Sequence, residues 1–174
     1  MATPRPRLND PAIRAALVRK IYDEVPGVRV RHEMRLGRRV ADVVHVDLSE
    51  LHVYEIKSDR DGTGRLASTV KKSRRGRTYV KRGQVDAYSL VADRATLVVG
   101  LVLLEKALPL IPPWWGVLVA QDTPSGVSLT PHRAPQPNPA RNWAALERLL
   151  WKAEALALCE ALGLARGVRS ATRR

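Results

Sequence analysis

The first regular pattern along the chain predicts a helix over residues 10–24. Asp10 followed by Pro11 is typical of an N-cap and a first helical position, and a Pro-Gly pair at 26–27 is typical of a helix end. Apolar residues four apart form the predicted buried stripe of this helix, which consists of Ile13, Leu17 and Ile21.

Three apolar, β-branched runs follow, and each predicts a strand. Their approximate bounds are 28–36, 39–47 and 51–58. Residues 59–75 are predicted to form a loop, and residues 78–92 a second helix. Residues 95–103 are rich in Val and Leu, which predicts a central strand covered on both faces. The predicted order is therefore α-β-β-β-α-β, an α/β fold with a mixed central sheet flanked by helices.

Shorter elements are predicted beyond this core. Short strands are expected at 115–120 and 126–129, and four prolines within 131–139 predict an extended connector. A final C-terminal helix is predicted to begin at Asn138-Pro139 and to end before Gly163. Its packing face is predicted to consist of Trp143, Leu146, Leu150, Ala153 and Ala157.

Two acids and a lysine interrupt the apolar strand pattern: Asp42 in the second predicted strand, and Glu55 and Lys57 in the third. A charge buried in such a strand is costly unless it is paired or binds a metal. If Val46 pairs with Leu51 across the turn, Asp42 lies opposite Glu55. Because strand side chains alternate between faces, Lys57 then shares the face of both acids.

A third acid joins them if the preceding turn is the two-residue type that Gly37-Arg38 favours. Leu36 then pairs with Arg39, and Glu33 falls opposite Asp42. Three carboxylates would line up across adjacent strands, and such a cluster of oxygen ligands suits a hard cation such as Mg²⁺. A one-residue slip would separate them, and a half-exposed sheet with cross-strand ion pairs is the alternative interpretation.

An acid followed by Glu-x-Lys at the end of the next strand resembles the PD-(D/E)XK nuclease superfamily. This resemblance implies a restriction-endonuclease-like core and a divalent cation, Mg²⁺ or Mn²⁺, held by Asp42 and Glu55. It also implies that Lys57 lies beside the cation and that Glu33 assists directly or through water. Some members use an acid from the first helix, for which Glu24 is the other candidate.

A second motif extends the resemblance. Gln84-Val85-Asp86-Ala87-Tyr88 is similar to the Gln-x-x-x-Tyr motif that follows the Glu-x-Lys strand in RecB-like nucleases. On a helix, residues four apart share a face. The resemblance implies that Gln84 and Tyr88 contact nucleic acid or brace the active site, whereas an ordinary amphipathic helix is the other interpretation. The stretch from Glu55 to Leu66 also resembles small, poorly characterised bacterial members of the superfamily.

Charge points to nucleic acid as the partner. The chain has 174 residues, a net charge of +13 and one cysteine, Cys159. Its length fits one domain, predicted over residues 1–163 with a basic flexible tail at 164–174. The excess charge favours a polyanion, with DNA preferred over RNA and an anionic membrane surface as the rival. A single cysteine excludes an internal disulfide and favours a reducing cytoplasm.

More than half of the excess charge falls in residues 67–83, which look like an insertion. This segment has no acid, and its basic residues are Lys71, Lys72, Arg74, Arg75, Arg77, Lys81 and Arg82. We expect it to grip the nucleic-acid backbone beside the active site. The other interpretation is a solvated loop, since like-charged runs usually are.

Four further side chains have two interpretations each. His45 and His52 pair in the predicted register, on the face opposite the carboxylates, either as a structural pair or as part of a metal site. Trp114 and Trp115 either pack in the core or stack on exposed bases.

Together these patterns predict a metal-dependent nuclease that hydrolyses phosphodiester bonds in DNA, most simply as an endonuclease. The alternative is a catalytically inactive nucleic-acid-binding module, or a subunit of a repair or defence assembly with the same fold. We expect no membrane span, since no run of eighteen apolar residues occurs, and no secretory signal. A homodimer would suit double-strand cutting by a single site.

Overall fold

The structure is a computed structural model that describes residues 8–36, 39–47, 50–59, 62–72, 78–81 and 83–140. Three α-helices lie within these ranges: α1 Asp10–Glu24, α2 Gln84–Tyr88 and α3 Leu104–Ala107. Two 3-10 helices, Leu101–Leu103 and Leu108–Leu110, flank α3. The strands are β1 Arg29–Leu36, β2 Arg39–Asp47, β3 Glu50–Lys57, β4 Thr69–Lys72, β5 Thr78–Lys81, β6 Arg94–Gly100, β7 Gly116–Thr123 and β8 Gly126–Arg133.

Six strands form one mixed sheet in the order β1-β2-β3-β6-β7-β8. The central strand β6 is parallel to β3 and to β7, and the outer pairs are antiparallel. Residues 95–100 of β6 are all buried, which confirms the predicted central strand at those positions. The predicted range extended to residue 103, and there the structure differs, because Leu101–Leu103 form a 3-10 helix. The predicted α/β class is thus confirmed.

Helix α1 has the predicted bounds and the predicted buried stripe of Ile13, Leu17 and Ile21. Its N-cap differs by one residue, because the Asn9 side chain accepts the Ala12 amide at 2.9 Å. Asp10 is therefore inside the first turn, where its carboxylate faces Arg14 one turn later.

The apolar stripe of α1 packs on one face of the sheet. The core cluster there includes Val43 of β2, Tyr54 and Ile56 of β3, and Val98 of β6. Because side chains alternate along a strand, Glu55 and Lys57 belong to the opposite face. The fold therefore separates an apolar face beneath α1 from a face that carries the charged residues.

The segment between β3 and β6 differs most from the prediction. The loop predicted over 59–75 contains β4, and the helix predicted over 78–92 is replaced by β5 and the five-residue α2. Thr-Val and Thr-Tyr-Val within these basic runs have the β-branched and aromatic character of strands, which the interleaved charges obscure.

Strands β7 and β8 are longer than predicted. Pro131 lies within β8 and not in a connector, which is tolerated because β8 is an edge strand. The final helix is predicted to begin at Asn138-Pro139, where Pro139 and Ala140 form a turn and the Ala140 amide donates to Asn138 Oδ1 at 2.9 Å. The rest of that predicted helix and the predicted tail fall on residues 141–174, outside the described residues. None of the helices in the described ranges is long and apolar enough to cross a membrane.

Candidate active site

Glu55 is the centre of the candidate site. It lies near the end of β3 and is only 1% exposed. Its Oε1 accepts a hydrogen bond from Lys57 Nζ at 2.5 Å and a second from the Gln84 side-chain amide. Its Oε2 lies 2.9 Å from the Tyr88 hydroxyl. A buried carboxylate with donors at both oxygens is held in one orientation.

Lys57 is also buried, at 6% exposed, and contacts the carboxylate two residues before it. The strand alternation that placed both residues on one face is confirmed. An ammonium group in a buried position interacts more strongly with a nearby charge than it would in water, because water screens it less.

Asp42 joins this pair through the backbone of β3. The ladder between β2 and β3 has the predicted register, with His45 opposite His52 and Val43 opposite Tyr54. Beyond that pair, Asp42 Oδ2 accepts the Ile56 amide at 2.7 Å. The side chain of Asp42 thus supplies the acceptor for the next backbone amide of β3, which holds its carboxylate beside the Glu55–Lys57 segment.

Gln84 and Tyr88 lie on one face of α2, as predicted, and both face Glu55. The start of α2 is fixed by two backbone bonds, Gln84 N to Arg65 O at 3.0 Å and Val85 N to Leu66 O at 3.2 Å. The Tyr88 hydroxyl also lies 2.8 Å from the Val40 carbonyl oxygen. Helix α2 therefore connects β2 and β3 at the site.

Burial raises the pKa of both carboxyl groups. The pKa of Glu55 is raised to about 7 by burial, with Lys57 opposing the shift and Asp42 adding to it. The pKa of Asp42 is raised by burial, against the lowering effect of the Ile56 amide. The Tyr88 hydroxyl has only one proton to donate. It can therefore bond both neighbours at once when Glu55 is protonated, because Glu55 then donates to the Tyr88 oxygen while Tyr88 donates to the Val40 carbonyl. A bound cation would favour the ionised form of both carboxyl groups.

Glu33 occupies a different position from the one expected. Its neighbours pair in the predicted register, His32 with Val43 and Met34 with Ala41. Glu33 itself has a positive φ of 51°, and its side chain is 71% exposed. This local twist of β1 turns the carboxylate toward Arg14, 3.4 Å away. In the described part of the chain no three His, Cys, Asp or Glu residues form a group that could hold a metal, so the predicted row of three carboxylates is not formed there.

Helix α1 supplies two charged residues that the sequence pattern did not single out. Arg14 lies 3.2 Å from Asp10, 3.4 Å from Glu33 and 3.8 Å from Asp42. Asp10 is close enough to raise the pKa of Asp42 further. The four-residue spacing of Asp10 and Arg14 is the sequence signal that could have indicated their ion pair.

Glu24, the other candidate for the additional acid, lies at the far end of α1 and pairs with Lys20 at 2.6 Å.

The histidine and tryptophan pairs are buried. His52 Nε2 lies 2.8 Å from Thr96 Oγ1, and its ring stacks on Tyr54 at 4.2 Å, beside His45. Trp115 is fully buried and stacks near Tyr88, and Trp114 is 9% exposed. In this conformation both tryptophan rings pack in the interior, as the packing interpretation predicts.

Three of the predicted nucleic-acid-binding residues lie on the β4–β5 hairpin: Lys71, Lys72 and Lys81. Arg74, Arg75, Arg77 and Arg82 lie outside the described residues.

The donor set fits a magnesium ion. Mg²⁺ prefers oxygen ligands and usually takes one or two protein carboxylates while keeping several waters. Asp42 and Glu55 provide two carboxylates. Gln84 is 8% exposed, and its Oε1 has no hydrogen-bond partner among the described residues. A buried oxygen without a partner next to Glu55 is a further acceptor for a bound ion or its water.

The family described as Bacteriophage P4 protein cII matches residues 5–173, and the chain belongs to this family. No curated protein and no solved structure matches the chain.

Proposed function

We propose that this protein is a Mg²⁺- or Mn²⁺-dependent nuclease with a PD-(D/E)XK-type core, acting on DNA. The observation that carries the proposal is the convergence of Lys57, Gln84 and Tyr88 on the buried Glu55. Two motifs that are 29 residues apart at Glu55 and Gln84 meet at one carboxylate. A shared site is what both motifs require if they act in one reaction.

The arrangement of elements supports the same proposal. Helix α1, strands β1 to β3, helix α2 and strand β6 follow one another in the order that the superfamily core requires, with the β4–β5 hairpin inserted before α2. The chain places Asp42 and Glu55 on neighbouring antiparallel strands and Lys57 at the end of the second.

Each side chain has a role in phosphodiester hydrolysis. Asp42 and Glu55 would hold the cation, which polarises a phosphoryl oxygen and lowers the pKa of a bound water. Lys57 places a compact positive charge where the phosphate becomes more negative in the transition state. Gln84 and Tyr88 fix the orientation of Glu55, and burial excludes bulk water from the charges they hold.

A cleavage panel tests the proposal. Single-stranded, duplex, flap and junction DNA, with matching RNA, are incubated with wild-type protein and Mg²⁺ or Mn²⁺. We expect cleavage that requires the metal and is lost in Asp42→Ala and in Lys57→Ala. Asp122→Ala and Lys106→Ala are matched controls, since both residues are exposed and lie outside the site. If wild-type protein cuts none of these substrates with either metal, the nuclease proposal is wrong.

A non-catalytic nucleic-acid-binding module is the second candidate. It is favoured by the absence of a group of three metal-ligating residues in the described ranges and by the partners already present at both Glu55 oxygens. Calorimetry with Mg²⁺ separates the two candidates. The nuclease should bind the ion in a way that Asp42→Ala abolishes, and the module should not.

A further inference from the structure

An open groove of about 690 Å³ runs between helix α1 and strand β1, and all the residues that line it lie within the described ranges. Its volume falls in the range of roughly 300–1,000 Å³ that is typical of sites for small ligands. We call it the α1–β1 groove.

The floor of the α1–β1 groove is apolar and ends in an aromatic ring. It is lined by Pro11, Ala15, Val18 and Tyr22, whose spacing of three or four residues places them on one side of α1. Helix α1 packs on the sheet with a different stripe, so this side is not needed to hold the helix in place. The Tyr22 side chain is 48% exposed and is therefore open to a ligand.

The other end of the groove adjoins the candidate site. Arg14 lines the groove, and its guanidinium lies 3.8 Å from Asp42. Arg14 and Tyr22 are eight residues apart, which is about 12 Å along the axis of a helix. A nucleic-acid strand with a phosphate at Asp42 would therefore reach the groove with its neighbouring nucleotides.

The polar groups at this end suit the edge of a nucleobase. Arg14 offers donors, and the Glu33 carboxylate 3.4 Å away offers acceptors. Glu33 has a φ of 51°, and such a backbone conformation is retained where the position of the side chain matters. Base edges carry donors and acceptors side by side, as this pair does.

A phosphate suits a different part of the groove. Beside Arg14 it would meet the carboxylates of Asp10 and Glu33, which repel it. Arg19 also lines the groove and is exposed, so its guanidinium is the cation available to a phosphate there.

The apolar floor favours an unpaired base. In a duplex the faces of each base are covered by its neighbours, whereas an unpaired base can place its face on an aromatic side chain. A groove whose floor ends in the Tyr22 ring therefore fits a single strand better than a duplex.

We propose that the α1–β1 groove binds an unpaired nucleotide of the substrate, with its base on the floor beside Tyr22 and its phosphate at Arg19, so that the strand passes the candidate site in single-stranded form. This inference rests on the proposed function for the identity of the adjacent site, but its test measures binding and not cleavage.

The test uses a short dye-labelled DNA strand that carries one 2-aminopurine, a base whose fluorescence falls when its ring stacks, and the same strand paired in a duplex. Affinity is measured by anisotropy and stacking by 2-aminopurine emission, with a chelator present so that no strand is cut. We expect wild-type protein to quench the single strand when it binds. In Tyr22→Ala the quenching should be lost and the affinity for the single strand should fall about tenfold, as loss of one base–aromatic stack does, while the affinity for the duplex stays unchanged.

Three further variants separate stacking in the groove from a general effect on the surface. Tyr22→Phe keeps the ring and should retain wild-type affinity and quenching. Ala15→Met fills the floor from an exposed helical position with a residue of high helix propensity, so it should fold normally and weaken single-strand binding as Tyr22→Ala does. Val102→Ala shortens an apolar side chain that is 75% exposed and does not line the groove, and it should behave as the wild type does.

The phosphate contact has its own readout. Arg19→Gln should lower the slope of log affinity against log salt for the single strand by about 0.7, the value for one lost phosphate contact. Lys106→Gln removes the same charge from an exposed position outside the groove and should keep the wild-type slope. An equal fall in both variants would overturn the contact at Arg19.

Wild-type affinity of both Tyr22→Ala and Ala15→Met for the single strand, or an equal loss for single strand and duplex, would overturn the inference. Single-strand binding that depends on Tyr22, without metal-dependent cleavage of any substrate, would overturn the nuclease proposal and leave the groove in place. Cleavage of the single strand that is indifferent to Tyr22→Ala and Ala15→Met would overturn the groove and leave the nuclease proposal in place.

Discussion

At the scale of single residues, the site depends on Tyr88 holding the buried Glu55. Tyr88→Phe removes the hydroxyl near both Glu55 Oε2 and the Val40 carbonyl, and leaves buried acceptors with fewer donors. We expect a loss of about 2 kcal/mol in the free energy of unfolding, measured by urea denaturation at pH 7. Tyr22→Phe is the control, because Tyr22 is 48% exposed, and should change stability by less than about 0.5 kcal/mol. Equal stabilities would contradict the bracing role.

Arg14 is a second residue whose effect is local. Its guanidinium lies 3.8 Å from Asp42, so it competes with a divalent cation for the same carboxylate. Removing a partly exposed partner of this kind changes the interaction by about 1 kcal/mol, or roughly fivefold in affinity. Arg14→Gln should therefore bind Mg²⁺ about fivefold more tightly in calorimetry. Arg19→Gln, an exposed position on the same helix, should bind as the wild type does, and weaker binding by Arg14→Gln would refute the competition.

His52 makes stability depend on pH. Burial lowers its pKa to about 3, with His45 and Arg94 acting in the same direction. Around it lie Thr96 and the Tyr54 hydroxyl, and no carboxylate is among the causes of its shift.

Because the folded pKa of His52 is below its unfolded value of about 6.5, the unfolded chain takes up the proton first. The stability that neutral His52 contributes is fully present above pH 6.5 and is lost as the pH falls toward 3. The loss in the free energy of unfolding is about 1.4 kcal/mol per pH unit within that window.

Urea denaturation at pH 7, 6 and 5 should show that the free energy of unfolding falls less steeply in His52→Gln than in the wild type. His32→Gln, at an exposed position, should follow the wild type, and parallel curves for all three proteins would show that His52 does not titrate on unfolding.

At the scale of elements, the sequence pattern predicts those whose formation is local. Helix α1 is set by its stripe and its cap region, and the β2–β3 register is set by alternation together with a short turn. That register is enough to place Glu55 and Lys57 on one face. The β4–β5 hairpin was not predicted because its charges hide the strand pattern, and two strands supply little apolar signal.

The residues that the sequence pattern missed depend on contacts between elements. Arg14 and Asp10 meet Asp42 because α1 lies across the sheet at that point, which periodicity within α1 does not contain. Glu33 departs from its expected role because its φ of 51° turns one residue of β1 out of the pleat. Alternation specifies a face only where the strand remains regular.

Gly83 is the position at which the hairpin, α2 and the site depend on close backbone packing. A Cβ added there would overlap the backbone of Leu66 and Ala67, so the base of the hairpin would have to move. Gly83→Ala should lower the free energy of unfolding by about 2 kcal/mol or more. Gly64→Ala is the matched control, since a Cβ there meets nothing within 4 Å, and it should be neutral or slightly stabilising. Thermal and urea denaturation of both variants test this, and equal effects would show that the close approach is not required.

At the scale of the whole molecule, the two buried carboxyl groups lower the free energy of unfolding at neutral pH, and the proposed cation would offset that effect. Burial raises the pKa of both Asp42 and Glu55, so ionising them at neutral pH costs folding free energy. A divalent ion that binds the folded state and not the unfolded chain recovers part of that cost by mass action, about 2.7 kcal/mol at a hundred times its dissociation constant. For a domain of this length, each kcal/mol corresponds to roughly 2–4 °C in melting temperature.

We therefore expect saturating Mg²⁺ or Mn²⁺ to raise the melting temperature of the wild type by several degrees. Asp42→Asn/Glu55→Gln keeps the size of both side chains and removes both charges, so the metal-dependent shift should disappear. Asp122→Asn/Glu105→Gln removes the same charge from exposed positions and should retain the full shift, which separates a specific site from general screening of the chain by salt. Differential scanning fluorimetry across a metal titration measures all three proteins together. If both double variants show the wild-type shift, the ion stabilises the fold elsewhere, and Asp42 and Glu55 are not its ligands.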